Sequence, residues 1–520
     1  MILDSVSWPK QSTYNADIAI VGAGAAGISL AMDLARRGKS VILLEGGDEM
    51  YSQESQDMYK GSFSARDLPY GMQHSRLRYL GGSTNCWAGG CGELDPEDFY
   101  AREWVPLSGW PIGKSVLSPF YVKAASFLGL DIERIRNKDD LNELPKLRAF
   151  ELGTLEYTKK VRFTHEFREN LNQDPNLTVL TGANFFELAR ESRSDTVDFI
   201  NVKSLKGEIA SIVAKDFVFA AGGIENARLL LNTGNGKYGP LGDSSGNLGR
   251  YFSDHPIAPG ATLLDSHGRA AQSEYNVRNF KPNSNGQLTL PFYRLPFELQ
   301  KKHKTLNVAL QIHSQEEALT GVEQAAWRLK KFYDDPTTYD LAGSDIASVL
   351  KDPVRLYKSY KSRGSSKGRL ALRFQIEQSP NHSNCVSLNN EIDSVGLKKA
   401  NLHWSFSDIE RHTVDVAISY AAKTFQRVDG GSLKLDPDMI DNAKDLPGDL
   451  RGGQHHCGTT RMSDSPKYGV VDSNLKLFDA HNVFVCGSSV FPTNGWVNPT
   501  FTIVALSLRL SEHLANGRVG

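Results

Sequence analysis

The first strong pattern in the chain lies at residues 17–46, DIAIVGAGAAGISLAMDLARRGKSVILLEG. An unbroken apolar run, Ile18 to Val21, predicts a strand buried on both faces, as in a parallel sheet. A glycine-rich turn follows, then a helical pattern that ends at Gly38. A second apolar run, Val41 to Leu44, predicts another strand, closed by Glu45. Strand, glycine turn, helix and strand in this order predict a dinucleotide-binding β-α-β unit.

Each part of that unit has a task. Gly22 permits the tight turn, Gly24 lets the backbone approach a pyrophosphate, and Gly27 lets helix and strand pack closely. The helix N-terminus, around Ala26, offers unpaired N–H groups and a positive dipole end to the phosphates. Glu45 stands where a carboxylate accepts hydrogen bonds from ribose hydroxyls.

Further along, residues 216–235, DFVFAAGGIENARLLLNTGN, predict strand, glycine turn and helix. Residues 481–516 predict a strand (NVFVCG), a loop (SSVFPTNGW) and a final helix ended by Gly517. Residues 80–92, LGGSTNCWAGGCG, form a second glycine-rich loop. Between about 260 and 445 the pattern becomes alternating, as in RLALRFQIEQ at 369–378, and predicts a second domain carrying a sheet. Seven basic residues at 351–369 predict a solvated helix face and loop, with contact to a partner or an anionic surface as the alternative.

Size and charge narrow the class. A chain of 520 residues suggests about three to four domains, or two large ones. The 59 basic and 60 acidic residues nearly cancel, which argues against a nucleic-acid binder. Five cysteines at irregular spacings argue against a disulfide framework and for a reducing compartment. No secretory signal pattern appears at the N-terminus, and the longest apolar-looking run is broken by glycines. The expectation is a cytoplasmic protein without a transmembrane segment.

The stretch GGQHHCGTTRM, residues 452–462, sets two histidines side by side. A metal site, a proton-transfer base and a buried structural pair are the alternatives. Histidines on one helix face bind a metal at i, i+4 spacing, and no Asp/Glu/His set nearby completes a zinc site, so no metal is expected.

Taken together, GAGAAG at 22–27, GGSTNCW at 81–87, AAGGIENARLLL at 220–231, HHCGTTRM at 455–462 and the region 488–514 resemble the glucose–methanol–choline (GMC) oxidoreductases. The likeness is nearest to bacterial members, including sugar dehydrogenases and pyranose oxidases. It implies FAD bound in an extended form and an α/β fold, α+β overall. A Rossmann-like FAD-binding domain would comprise 1–95, 155–259 and 446–520, and a sheet-containing substrate domain 96–154 and 260–445. The implied chemistry is removal of two hydrogens from a carbinol, with hydride passing to the flavin. The small-molecule substrate would be a sugar, polyol, glycoside or other alcohol. Oxygen and quinones are both open as electron acceptor, and so is a homo-oligomer. A lyase or decarboxylase using the same pocket without net oxidation is the alternative.

The resemblance also implies site residues. The family's histidine three positions before a Gly-Thr pair is His455 here, the expected general base. Its second active-site residue, in the loop before the last helix, is Asn498, expected to orient the alcohol. Asn498 also precedes Pro499, so capping the last helix is a competing role. His456 is expected to support the site. Gly81, Gly82, Ser83, Asn85, Cys86 and Trp87 would contact FAD, with Phe185, Ala221, Gly487, Ser488 and Pro499. In several relatives the residue before this tryptophan is a histidine bonded to the flavin. Here it is Cys86, so a thioether is conceivable and noncovalent FAD is the expectation.

Overall fold

The computed structural model describes residues 1–520 except 6–7, 9–11, 65–70, 137–145, 191–194, 235–238, 265–276, 278–279, 283–285, 315–324, 326–348, 350–368, 426–431, 436–450 and 518–520. Three sheets organise the described residues.

The first sheet has eight strands. Ile2–Asp4, Leu177–Thr181, Val41–Leu44, Ser12–Val21 and Ile209–Phe219 lie side by side and parallel. Ile209–Phe219 also pairs in parallel with Val483–Val485 at its far end. Phe199–Lys203 and Asn184–Ala189 complete the sheet as antiparallel strands. The apolar runs read from the sequence are buried here, with Ile18, Ala19 and Ile20 at 2% exposure or less. Burying such side chains is worth roughly 1.5–3 kcal/mol each before chain entropy is counted.

Register makes this sheet a platform. Val21 is level with Leu44 and with Phe219, and Phe219 is level with Val485. Four parallel strands therefore end on one line. The loops that follow them start at Gly22, Glu45, Ala220 and Cys486 and gather at that edge, where open α/β sheets bind ligands. The first helix, Ala25–Arg36, and the last, Thr500–Ala515, pack against each other beside the sheet.

The second sheet has eight antiparallel strands. Its centre is Arg369–Ile376 between Val308–Ser314 and Pro256–Leu264. The alternating pattern has a direct consequence. Leu370, Leu372, Phe374 and Ile376 bury one face against the helix Asp408–Phe425, through Val414, Ala417 and Ala421. The residues between them, Arg373 and Gln375, stand on the opposite face and line a cavity shared with the strand ends of the first sheet. Arg102 clamps this unit through two N–H bonds to Glu377 at 2.7 and 2.6 Å, both residues buried.

At least three strands depart from the expected segments, Arg451–Gly452 among them, which pairs in the second sheet. Gly90–Cys91 and Glu151–Tyr157 pair in the second sheet, on either side of the expected segment 96–154. Neither strand shows the apolar alternation that marked the second domain in the sequence. A third sheet joins Cys385–Ile392, Lys398–His403 and Ser62–Phe63. It packs on Ile224, Ala227 and Phe252, on the side of the first sheet. The basic run 351–369 lies outside the described residues except for Arg369, which opens a strand.

Candidate active site

The four strand ends open onto one cavity of about 570 Å³. Its wall begins at Gly22, Gly24, Ala26 and Glu45 and continues along Gly82, Ser83, Cys86 and Trp87. Phe185, Ala221, Gly487, Ser488 and Pro499 also line it, as do His455, His456 and Asn498. Gly27, Gly81 and Asn85 do not. A Cβ on Gly27 would collide with the Gly22 carbonyl, so its role is packing. Asn85 was expected to touch the cofactor. Instead its Nδ2 donates to the Leu80 carbonyl at 2.8 Å and its Oδ1 accepts from Thr164, which ties the loop to itself and to the helix Phe163–Gln173.

The first turn is shaped for an anionic ligand. Gly22 has φ +106°, and a Cβ there would stand 2.8 Å from the Ala220 oxygen. Gly24 has an ordinary φ of −91° and caps the first helix. A Cβ on Gly24 would meet no protein atom within 4 Å, because it would project into the cavity. Glu45 accepts the Ala23 N–H at 3.1 Å and the Gly47 N–H at 2.9 Å, which leaves acceptor capacity at the cavity wall. Burial pushes its carboxyl above the usual carboxylate range, against the pull of the Gly47 amide and Arg78.

At the other end, Asn498 does not cap its helix. The N-cap is Pro499, with no side-chain cap bond. Asn498 Nδ2 donates to the Gly90 carbonyl at 3.2 Å, and Oδ1 accepts from Gln375 Nε2 at 3.4 Å. Gln375 Nε2 also donates to the Trp496 carbonyl at 2.6 Å. That bond orients the Gln375 amide, and the Gln375 amide in turn orients Asn498. An amide nitrogen has two N–H groups, so Asn498 keeps one beyond the bond to Gly90.

The two histidines stand in different surroundings. His455 opens on the cavity, and its Nδ1 lies 2.8 Å from Nδ1 of His255. Burial, with His255 and His456 nearby, holds its imidazole well below the usual range. His456 is buried against Phe252, with ring centres 5.6 Å apart, and its carbonyl accepts from Ser488 Oγ at 2.6 Å. Burial and Arg76 push its imidazole down to about 3. Asp254 accepts the backbone N–H of both His255 and His455 at 2.7 Å.

Comparison with known proteins fits this geometry. A family model described as GMC oxidoreductase matches residues 380–507, and one described as FAD dependent oxidoreductase matches 17–159. Paromamine 6'-oxidase of Streptomyces fradiae is 24% identical over 97% of this chain and 92% of its own. The 2-methyl-1,2-propanediol dehydrogenase of Mycolicibacterium austroafricanum is also 24% identical, over 97% and 96%. This chain belongs to the GMC oxidoreductases. Its fold matches that of pyridoxine 4-oxidase from Mesorbium loti, with a TM-score of 0.57 at 17% identity, over 96% of this chain and 98% of that one.

As a GMC oxidoreductase it is an enzyme that uses FAD. The cavity suits that group. Gly24 leaves room that a side chain would fill, the first helix points its N-terminus there, and Glu45 offers a carboxylate. Cys86 lines the wall, and its thiol donates to the Ser83 carbonyl at 3.4 Å. The surrounding wall desolvates the thiol and raises it above its ordinary value, so the neutral form prevails. Among the described residues, no group of three His, Cys, Asp or Glu could hold a metal, and no helix is long and apolar enough to cross a membrane.

Several residues at or beside this cavity carry no sequence signal. Asp254 and His255 stand in the plain stretch SDHP, far along the chain from His455. Gln311, Arg373 and Gln375 read only as the polar half of alternating strands, yet all three line the cavity.

Proposed function

We propose that this enzyme removes two hydrogens from a carbinol carbon of a small hydroxylated molecule, a sugar, polyol or glycoside. His455 is the general base, and Asn498 holds the alcohol oxygen. The reading rests chiefly on one observation. A side chain with proton-accepting capacity, His455, and one with a spare N–H, Asn498, line one cavity with the dinucleotide turn.

The residues divide the work. An alcohol oxygen accepting the spare Asn498 N–H is held in place, and its C–H bond is thereby directed. His455 takes the hydroxyl proton. Its depressed basicity keeps it neutral, and so able to accept, across the neutral range. Bound FAD supplies the acceptor for the two electrons. The last helix begins at Thr500 on the cavity wall, and its positive end favours negative charge there.

Gln311, Gln375 and Arg373 add a polar wall suited to further hydroxyl groups. Paromamine and a propanediol are the compounds named for two relatives, in line with a polyol-like substrate. One relative is named an oxidase and the other a dehydrogenase, so oxygen and a quinone are both candidate acceptors. All five cysteines are free, in keeping with a cytoplasmic setting. His456 we assign to support, and FAD to noncovalent binding.

The test is anaerobic mixing of the yellow enzyme with a panel of sugars, glycosides, polyols, aromatic alcohols and alkanols. An alcohol substrate bleaches the flavin. A flavin that is oxidised at the end, with substrate consumed, would mean a lyase or decarboxylase.

A further inference from the structure

We propose that His255 is a positioning residue that sets the tautomer of His455. It holds the proton of the His455 ring on Nδ1 and leaves Nε2 bare on the side of the cavity. The inference rests on the reading of His455 as the base and names the atom that does the work.

The hydrogen bonds leave one consistent arrangement. His255 Nε2 lies 2.9 Å from the Gly495 carbonyl and 3.2 Å from the Asn494 carbonyl. Carbonyl oxygens only accept, so Nε2 of His255 carries a hydrogen. His255 has no exposed surface, and burial pushes its imidazole down to about 4, so the ring is neutral at working pH. A neutral imidazole has one N–H, and Nδ1 of His255 is therefore an acceptor. Its partner at 2.8 Å is Nδ1 of His455. The opposite tautomer of His455 would set two lone pairs against each other at that distance. His455 must donate from Nδ1, and a neutral ring that donates from Nδ1 has a free lone pair on Nε2.

The direction of that lone pair follows. His455 lines the cavity and His255 does not. The edge of the His455 ring bearing Nδ1 is taken by His255, so the edge left to the cavity bears Nε2. The backbone keeps the two rings in register. Asp254 Oδ1 accepts the amides of both histidines, and the Gly453 N–H donates to the His255 carbonyl at 2.8 Å. Asn494 Nδ2 donates to the Asp254 carbonyl at 2.9 Å, which ties the pair to the loop holding His255 Nε2.

The proton balance is simple. The alcohol O–H bond breaks and its proton goes to His455 Nε2, which makes an imidazolium. The Nδ1–H bond of that cation stays intact and still donates to His255. His255 gains and loses no proton. Its contribution is to keep the accepting nitrogen empty and to stabilise the charged product of the transfer.

The wild-type enzyme decides the matter first. Ring-15N histidine in the FAD-loaded enzyme reports which nitrogen is protonated, and the resonances lost in His455→Asn identify His455. At pH 8 we expect a protonated Nδ1 and a bare Nε2. A ring protonated at Nε2 overturns the proposal, whatever the variants do. Two substitutions then test its consequence. His255→Phe removes the acceptor, whereas His255→Asn keeps an amide oxygen near the place of Nδ1. Anaerobic flavin reduction should fall on the order of 10²-fold in His255→Phe, the low end of what a positioned base contributes. His255→Asn should recover much of the rate, and the His455 ring in His255→Phe should move toward the Nε2–H form. Unimpaired reduction in His255→Phe beside a slow His455→Ala would overturn this inference alone. Unimpaired reduction in His455→Ala would remove the base reading, and this inference with it.

Discussion

Asn498 donates from Nδ2 to the Gly90 carbonyl at 3.2 Å, across the seam between the last helix and the second sheet. Its amide is thus held by the second sheet while its backbone leads into the last helix. Asn498→Ala should keep FAD and slow flavin reduction by roughly tenfold to 10²-fold, because orientation is lost while the proton acceptor remains. Rapid mixing without oxygen measures this. A variant reducing at the wild-type rate would remove Asn498 from the chemistry.

Gly24 and Gly22 should fail in different ways. A Cβ on Gly24 meets no protein atom within 4 Å and its φ is ordinary, so Gly24→Leu should fold and lose its flavin. Gly22 combines φ +106° with backbone atoms at 2.8 Å, so Gly22→Leu should misfold. Circular dichroism and flavin content of the two purified variants separate these outcomes. A yellow Gly24→Leu protein would contradict the placement of the cofactor at this turn.

The glycine turn was legible because its pattern is local. Gly22, Gly24 and Glu45 fall within one strand-helix-strand unit, and period and spacing report them together. The second sheet was legible as alternation in RLALRFQIEQ, though the edge strand at Gly90 was not, being two residues long. The surroundings of His455 were hidden for a different reason. His255 lies 200 positions away, and Gln375 123 positions from Asn498. Such partners meet only through tertiary packing. Asn498 also shows a local rule yielding to that packing. An Asn before a Pro is a good cap, yet here its side chain goes to Gly90 and Gln375.

Cys86 should carry no flavin bond. Its thiol is held above its ordinary value by the wall around it and stays neutral, the unreactive form. Acid precipitation of the wild-type enzyme should release all yellow colour into the supernatant. Colour retained in the pellet, and lost from it in Cys86→Ala, would establish a thioether.

The pH profile has a definite sign. The proposed base, His455, would work in its neutral form, and burial holds its imidazole well below the usual range. A base with a depressed value stays neutral to lower pH, so flavin reduction should hold level from about pH 8 down to about 6.5, the ordinary histidine value. Its acid limb should lie lower still. An acid limb centred above pH 7 would contradict this environment. Stability carries the same sign from its neighbours. His255 and His456, pushed down to about 4 and about 3, contribute stability that is complete above about pH 6.5, the unfolded value. That contribution is lost as pH falls toward those lower values.

The most direct measurement compares flavin reduction by a saturating alcohol, without oxygen, in wild type, His455→Ala and His456→Ala. Proton removal belongs to the reductive half-reaction, and a positioned base contributes on the order of 10²–10⁴-fold. His455→Ala should stay yellow and lose a factor in that range, while reoxidation of the reduced enzyme is unchanged. His456→Ala, whose ring packs on Phe252, should lose much less. Slow reduction in His456→Ala with normal reduction in His455→Ala would contradict the assignment of His455 as the base.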